Sequence, residues 1–230
     1  VREAFKKMSK IKTNQQNFNN VAMYHTAIES SGYNVLLCRI LRATNMVIEA
    51  IRVQNANVLV HCSDGWDRTA QMCSLAQQCL DPHYRTIEGL CVLIEKDWCS
   101  FGHQFNLRYG QYDHCHDEKQ RSHVMTQYLD CCRQLLIQFP MHFEYNEQML
   151  MFIAEEIFTH KYGTFLVNCE RERDMLKIDK KTESIWTYVL LHKERFTNKF
   201  YQEDAMPKII SEVPITSAFT ISEWRELHFK

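Results

Sequence analysis

Val58-Leu59-Val60-His61-Cys62-Ser63-Asp64-Gly65-Trp66-Asp67-Arg68-Thr69 decides how the rest of the chain is read. A short β-branched run feeds a cysteine, a glycine-bearing loop follows, and an arginine opens an apolar-periodic stretch. The run reads as a buried strand and the stretch after it as a helix. That order sets a cysteine at the floor of a phosphate cradle, because the loop N–H groups and the helix N-terminus face inward. The same field lowers the pKa of a thiol placed there, and the thiolate is the reactive form. Arg68 supplies a planar fork that matches two phosphate oxygens at once.

Spacing alone does not single out Cys62. Cys79 and Arg85, and Cys115 and Arg121, stand at the same separation as Cys62 and Arg68. The segment after Cys79 contains Pro82, which has no N–H to donate, and lacks glycine. The segment after Cys115, His116-Asp117-Glu118-Lys119-Gln120, also lacks glycine and has no strand before it. Only Cys62 has strand, glycine and helix in the required order.

The chain has 230 residues, 45% of them hydrophobic, and a net charge of −1. One continuous unit over residues 1–230 is expected, since no Pro/Gly-rich or charged linker divides it. A near-neutral balance excludes a bulk field toward nucleic acid or an anionic membrane, so phosphate recognition has to be local. Only 6 glycines and 4 prolines point to long helices and few tight turns. No run approaches the ~18 apolar residues of a membrane span. The 10 cysteines in so core-rich a chain read as free thiols, and a thiolate nucleophile requires a reducing compartment. A cytoplasmic location is the expectation.

Along the chain, residues 1–11 read as the end of a basic helix and 12–20 as a polar connection. From Gly32, Leu37, Ile40, Leu41, Val47, Ile48 and Ile51 recur at helical spacing and lead to a strand over 57–61. Helices are predicted over 68–80, closed by Asp81-Pro82, and over 87–97, 124–139, 144–158 and 183–196. Residues 109–121 read as a loop. Within it, Asp113-His114-Cys115-His116-Asp117 has metal-ligand residue types, but adjacent ligands point apart, so no metal site is assigned. No cofactor is required by thiolate chemistry.

The string HCSDGWDRT at 61–69 resembles the signature of the myotubularin phosphoinositide 3-phosphatases. The resemblance continues through Ile87-Glu88-Gly89-Leu90, Trp98-Cys99-Ser100-Phe101-Gly102-His103, Phe143-Glu144-Tyr145-Asn146-Glu147-Gln148 and Gly163-Thr164-Phe165-Leu166-Val167-Asn168-Cys169-Glu170. It implies an α/β fold like that of the protein tyrosine phosphatases, with a central sheet surrounded by helices and a helix-rich C-terminal part. Because only the strand at 57–61 is evident, the chain reads as the later portion of such a catalytic domain.

The activity implied is removal of the 3-phosphate from phosphatidylinositol 3-phosphate and from the 3,5-bisphosphate, through a phosphocysteine. The loop chemistry by itself specifies only a phosphate monoester. Two acids in the loop argue against a tyrosine phosphatase. A rival from another class is an inert fragment or scaffold that binds an active partner. Further implications are a phosphoinositide head group at a membrane surface, peripheral association with endosomes, and dimers with itself or a family member. Nucleic acid is not an expected partner.

Residue by residue, Cys62 is the expected nucleophile, and Arg68 holds the equatorial oxygens. The backbone of Ser63, Asp64, Gly65, Trp66, Asp67 and Arg68 binds the phosphate. Asp67 is the implied general acid; the alternative is a structural carboxylate that fixes Arg68 or caps the helix. Asp64 reads as structural. Trp66 either flanks the inositol ring or packs in the core, and Thr69 either donates to the thiolate or caps the helix. His61 is expected to be buried and to orient the loop. The resemblance places Gln104 and Arg108 near a second phosphate. Family members often carry a basic residue where Gln104 stands, a departure that bears on affinity for a 5-phosphate.

Overall fold

The computed structural model describes residues 2–13, 21–111, 119–203, 209–210, 221–224 and 227. Those residues fold as packed helices. The metal-type cluster at 113–117 lies outside them, as does most of the C-terminal thirty.

The centre is α7 (Val124–Gln138), whose residues from Val124 to Leu136 are all buried. A helix apolar on one face and polar on the other cannot be buried all round unless its polar side chains find partners inside. Here they do. Gln134 donates to Asp130 at 3.0 Å and to the Ser222 carbonyl at 2.8 Å, while Tyr33 donates to Asp130 at 3.3 Å. Gln78 Nε2 donates to the Tyr128 hydroxyl at 2.6 Å, and Tyr145 donates to Gln78 Oε1 at 3.1 Å.

Around α7 pack α3 (Tyr33–Arg52), α4 (Arg68–Leu80) and α8 (Glu147–Thr159), with α3 also lying along α4. The amphipathic basic helix α1 (Arg2–Thr13) buries Met8 and Ile11 against this group, next to α2 (Val21–Ser31). Gly32 separates α2 from α3 in the left-handed region, φ 72°, which explains why the helical pattern begins there. The short helices α9 (Glu170–Leu176), α10 (Ile178–Lys181), α11 (Ile185–Leu191) and α12 (Lys193–Phe196) follow, with α12 packed on α8. None of the described helices is long and apolar enough to cross a membrane.

The expected α/β architecture is not found. Among the described residues there is no strand or sheet, and the only β pairing is an isolated antiparallel bridge between Tyr145 and Thr197. Val58-Leu59-Val60 lies outside any helix, but Leu59 is 87% exposed. The β-branched pattern favours an extended backbone, yet a strand exists only when a neighbour satisfies its N–H and C=O groups. No described segment pairs with this one.

Two further departures matter for the site. The helix expected over 87–97 is α-helical as α5 (Ile87–Ile94) and then widens into a π-helix, Glu95–Ser100. After the turn at Gly102, a short helix α6 (Phe105–Tyr109) occupies residues to which the sequence assigned no element, and it ends where the loop was expected to begin. The start of α5 is fixed by Thr86, whose hydroxyl accepts from Gly89 N–H at 2.9 Å. Gly89 is required there by space: a Cβ would sit 1.8 Å from the His83 carbonyl oxygen.

Candidate active site

The loop 62–67 joins the extended segment to α4, as its residue types require. Gly65 takes φ 87°, a left-handed conformation that lets the backbone turn inward with no side-chain penalty. Its N–H then points back at Cys62 Sγ, 3.2 Å away. Ser63 Oγ receives Arg68 Nη2 at 3.0 Å and itself donates to Asp64 Oδ2 at 3.0 Å. A small hydroxyl thus ties the exposed Arg68 guanidinium to the rim of the loop.

Burial pushes the Cys62 thiol up, but the Thr69 hydroxyl and the N–H groups of Gly65, Asp64 and Thr69 outweigh it and bring its pKa down to about 7. Thr69 Oγ1 is buried and has no hydrogen-bond partner of ordinary geometry among the described residues. The contrast with other thiols is chemical selectivity. Burial pushes Cys38, Cys73, Cys99 and Cys131 up, and Cys79, Cys91 and Cys132 up to about 12. Near neutral pH a large fraction of Cys62 is thiolate while these seven stay protonated.

Asp67 sits at the N-cap position of α4, yet its side chain makes no capping bond. Nor does it hold Arg68. Its Oδ2 receives Arg108 Nη2 at 2.8 Å and Arg108 Nε at 3.1 Å, a two-pronged grip, while His103 Nδ1 stands 3.1 Å from Oδ1. Burial raises the Asp67 pKa, and the bonds and charges of His103 and Arg108 overcome it to leave a net lowering. The resting carboxylate is ionised.

Arg108 is buried, with its remaining nitrogen, Nη1, donating to the Gln120 carbonyl at 2.8 Å and Gln120 Oε1 at 3.1 Å. Its guanidinium lies 4.5 Å over the Trp66 ring. The structure therefore turns Arg108 onto loop residues rather than outward. Gln104, at the start of α6, donates from Nε2 to the Gly102 carbonyl at 3.0 Å. Trp66 is half-buried between Arg108 and His103.

The loop therefore gathers Cys62, Ser63, Asp64, Gly65, Trp66, Asp67, Arg68 and Thr69 with Arg108. Gln104 reaches only its own turn. His61, expected to be buried, is exposed. A residue given no role from sequence does the holding: His103, fully buried, with Nδ1 2.8 Å from the Trp66 carbonyl oxygen. Its only signal was membership of the 98–103 stretch. No cluster of His, Cys, Asp or Glu suited to a metal ion occurs among the described residues.

Comparison with known proteins bears directly on this loop. The myotubularin-like phosphatase domain matches residues 1–174. Phosphatidylinositol-3,5-bisphosphate 3-phosphatase MTMR6 of Rattus norvegicus is 44% identical over 205 residues, covering 89% of this chain and 31% of that protein. Phosphatidylinositol-3,5-bisphosphate 3-phosphatase MTMR8 of Homo sapiens is 43% identical over 199 residues, 86% of this chain and 28% of that protein. Phosphatidylinositol-3-phosphate phosphatase MTMR7 of Homo sapiens is 46% identical over 177 residues, 77% of this chain and 26% of that protein. The chain spans about a third or less of the length of the curated relatives it matches. With the thiol-bearing loop inside the matched span and identity sustained across most of its residues, the chain belongs to the myotubularin-like phosphatase family.

Proposed function

We propose that this chain carries the nucleophile loop of a phosphoinositide 3-phosphatase acting on phosphatidylinositol 3-phosphate and the 3,5-bisphosphate. The observation that carries the reading is the Cys62 thiol, lowered to about 7 by loop N–H groups at a site rimmed by Arg68. The substrate class follows from the names of the relatives.

In this reading the Cys62 thiolate attacks phosphorus in line, and the bond from phosphorus to the inositol 3-oxygen breaks. Asp67 gives that oxygen a proton, so the inositide leaves as an alcohol. Arg68 and the loop N–H groups stabilise the charge on the equatorial oxygens. Water then attacks the phosphocysteine as the Asp67 carboxylate takes one of its protons, which restores the acid, returns the thiolate and releases inorganic phosphate. Because His103 and Arg108 hold Asp67 ionised, only a minor protonated population is ready to act. The substrate would be met at the surface of cytoplasmic, endosomal membranes, with a second copy or another family member as a dimer partner.

Phosphate release from a panel of soluble phosphoinositides tests the function, with Cys62→Ser as control. Turnover confined to 3-phosphorylated members and abolished in the variant is the expected result. Equal turnover of all positions, or activity surviving in the variant, would overturn it.

A further inference from the structure

His103 lies outside the loop, and no role follows for it from the thiolate chemistry. Its ring is fully buried, edge-on to Trp98 at 5.0 Å and to Phe105 at 4.7 Å between centroids. Its Nδ1 faces two oxygens, the Trp66 carbonyl at 2.8 Å and Asp67 Oδ1 at 3.1 Å. A carbonyl can only accept, and the carboxylate is ionised, so Nδ1 carries the proton. Nε2 is buried and has no hydrogen-bond partner among the described residues.

The ring is itself held. The π-helix is fastened to α4 through Trp98 Nε1, which donates to Ser74 Oγ at 3.1 Å, and Ser74, which donates to Asp97 at 3.3 Å. His103 N–H then closes onto the Trp98 carbonyl at 2.9 Å. The donor aimed at Asp67 is thereby referenced to the helix that leaves the loop.

We propose that His103 is a positioning residue whose Nδ1–H fixes the Asp67 carboxylate and the Trp66 carbonyl in the geometry needed for leaving-group protonation. This rests on the reading of Asp67 as general acid. The other groups that bear on Asp67 are Arg108 and, through its charge field, Tyr109, both on α6. Arg108 grips one edge of the carboxylate, while His103 Nδ1 lies within reach of both its Oδ1 and the loop backbone at the Trp66 carbonyl. A general acid contributes on the order of 10²–10⁴ in rate, and misplacing one forfeits part of that.

The test compares His103→Phe, which removes the donor, with His103→Asn, which keeps an N–H near the Nδ1 position, in the natural full-length protein. Substrates are a soluble phosphatidylinositol 3-phosphate and an aryl phosphate whose leaving group departs without a proton. His103→Phe is expected to lose on the order of 10-fold or more in kcat on the inositide, with KM little changed. The aryl phosphate should lose no more than about 3-fold, and His103→Asn should recover most of the inositide rate. Equal losses on both substrates would make His103 ordinary core packing and overturn the proposal.

Ring ¹⁵N shifts of the unsubstituted protein provide a check that survives a folding failure in the variants: protonation at Nε2 in place of Nδ1 would also overturn it. Asp67→Asn separates the two readings. If its loss is the same on both substrates, the general-acid reading falls and the role of His103 with it. If its loss is confined to the inositide while His103→Phe is neutral there, only the role of His103 falls.

Discussion

Arg108→Ala should destabilise the protein by far more than loss of an exposed arginine would. The guanidinium is buried, spends Nε and Nη2 on Asp67 and Nη1 on Gln120, and lies over Trp66. Removing one partner of a buried pair costs about 3–5 kcal/mol, because the other charge is left without compensation. Here Asp67 retains His103 and its side chain is 21% exposed, so the lower end, about 3 kcal/mol, applies. In a chain of this size that lowers Tm by about 6–12 °C.

The loss should depend on pH with a definite sign. A carboxyl whose folded pKa is depressed contributes stability above its unfolded value, and that contribution disappears as pH falls through the folded pKa. The gap between the natural protein and Arg108→Ala should therefore be full at pH 7 and close progressively below the ordinary value of 3.8. Arg108→Lys should recover only part, since a point charge cannot fork between Asp67 and Gln120. Denaturant unfolding at several pH values, with Asp67→Asn alone and in combination, measures the coupling. A gap under about 0.5 kcal/mol at pH 7, the range of an ordinary surface substitution, would refute the argument. So would a gap unchanged down to acid pH.

The remaining predictions concern chemistry. Cys62 should be alkylated with a midpoint near pH 7, ahead of the buried thiols Cys79, Cys91 and Cys132, and Thr69→Val should move that midpoint upward; a mass-spectrometric pH series reads both. Asp67→Asn should cost on the order of 10²–10⁴ on an inositide and much less on an aryl phosphate, as steady-state rates on the two substrates will show. Gln104→Arg should raise kcat/KM for the 3,5-bisphosphate relative to the 3-monophosphate, with the gain shrinking as salt is added; an unchanged ratio would place the reading of a second phosphate elsewhere.

Local pattern carried a good part of the fold into view. The helix at 68–80 was legible to its ends because Asp81-Pro82 stops it, and the one expected over 124–139, observed to 138, because its apolar periodicity is strong. The sheet was misread because a β-branched run reports backbone preference and says nothing of a pairing neighbour. Cys62, Gly65 and Arg68 stood out because their chemistry is local to one loop. The grip of Arg108 and His103 on Asp67 was not legible: those contacts span 41 and 36 positions (108 − 67 and 103 − 67), and no periodicity encodes them. Sequence alone also pointed to the wrong histidine. His61 adjoins the loop but faces solvent, while His103 reaches it through the interior.

The π-helix at Glu95–Ser100 makes length, more than residue type, the inherited quantity in this segment. Its wide turn is spanned by bonds from Phe101 N–H to the Lys96 carbonyl and from His103 N–H to the Trp98 carbonyl, each five residues apart. It holds one residue more than an α-helix would over the same turn. Deleting one residue between Glu95 and Ser100 would let the turn relax to α geometry with its flanks near their present places, whereas deleting a second would rotate everything beyond it by about 100°. His103 would swing away from Trp66 and Asp67 even though every chemically important side chain was still present. Substitutions at exposed Ser100 can drift and a one-residue deletion within the π-turn is absorbed, but a longer gap there would mark a chain whose loop has lost its support.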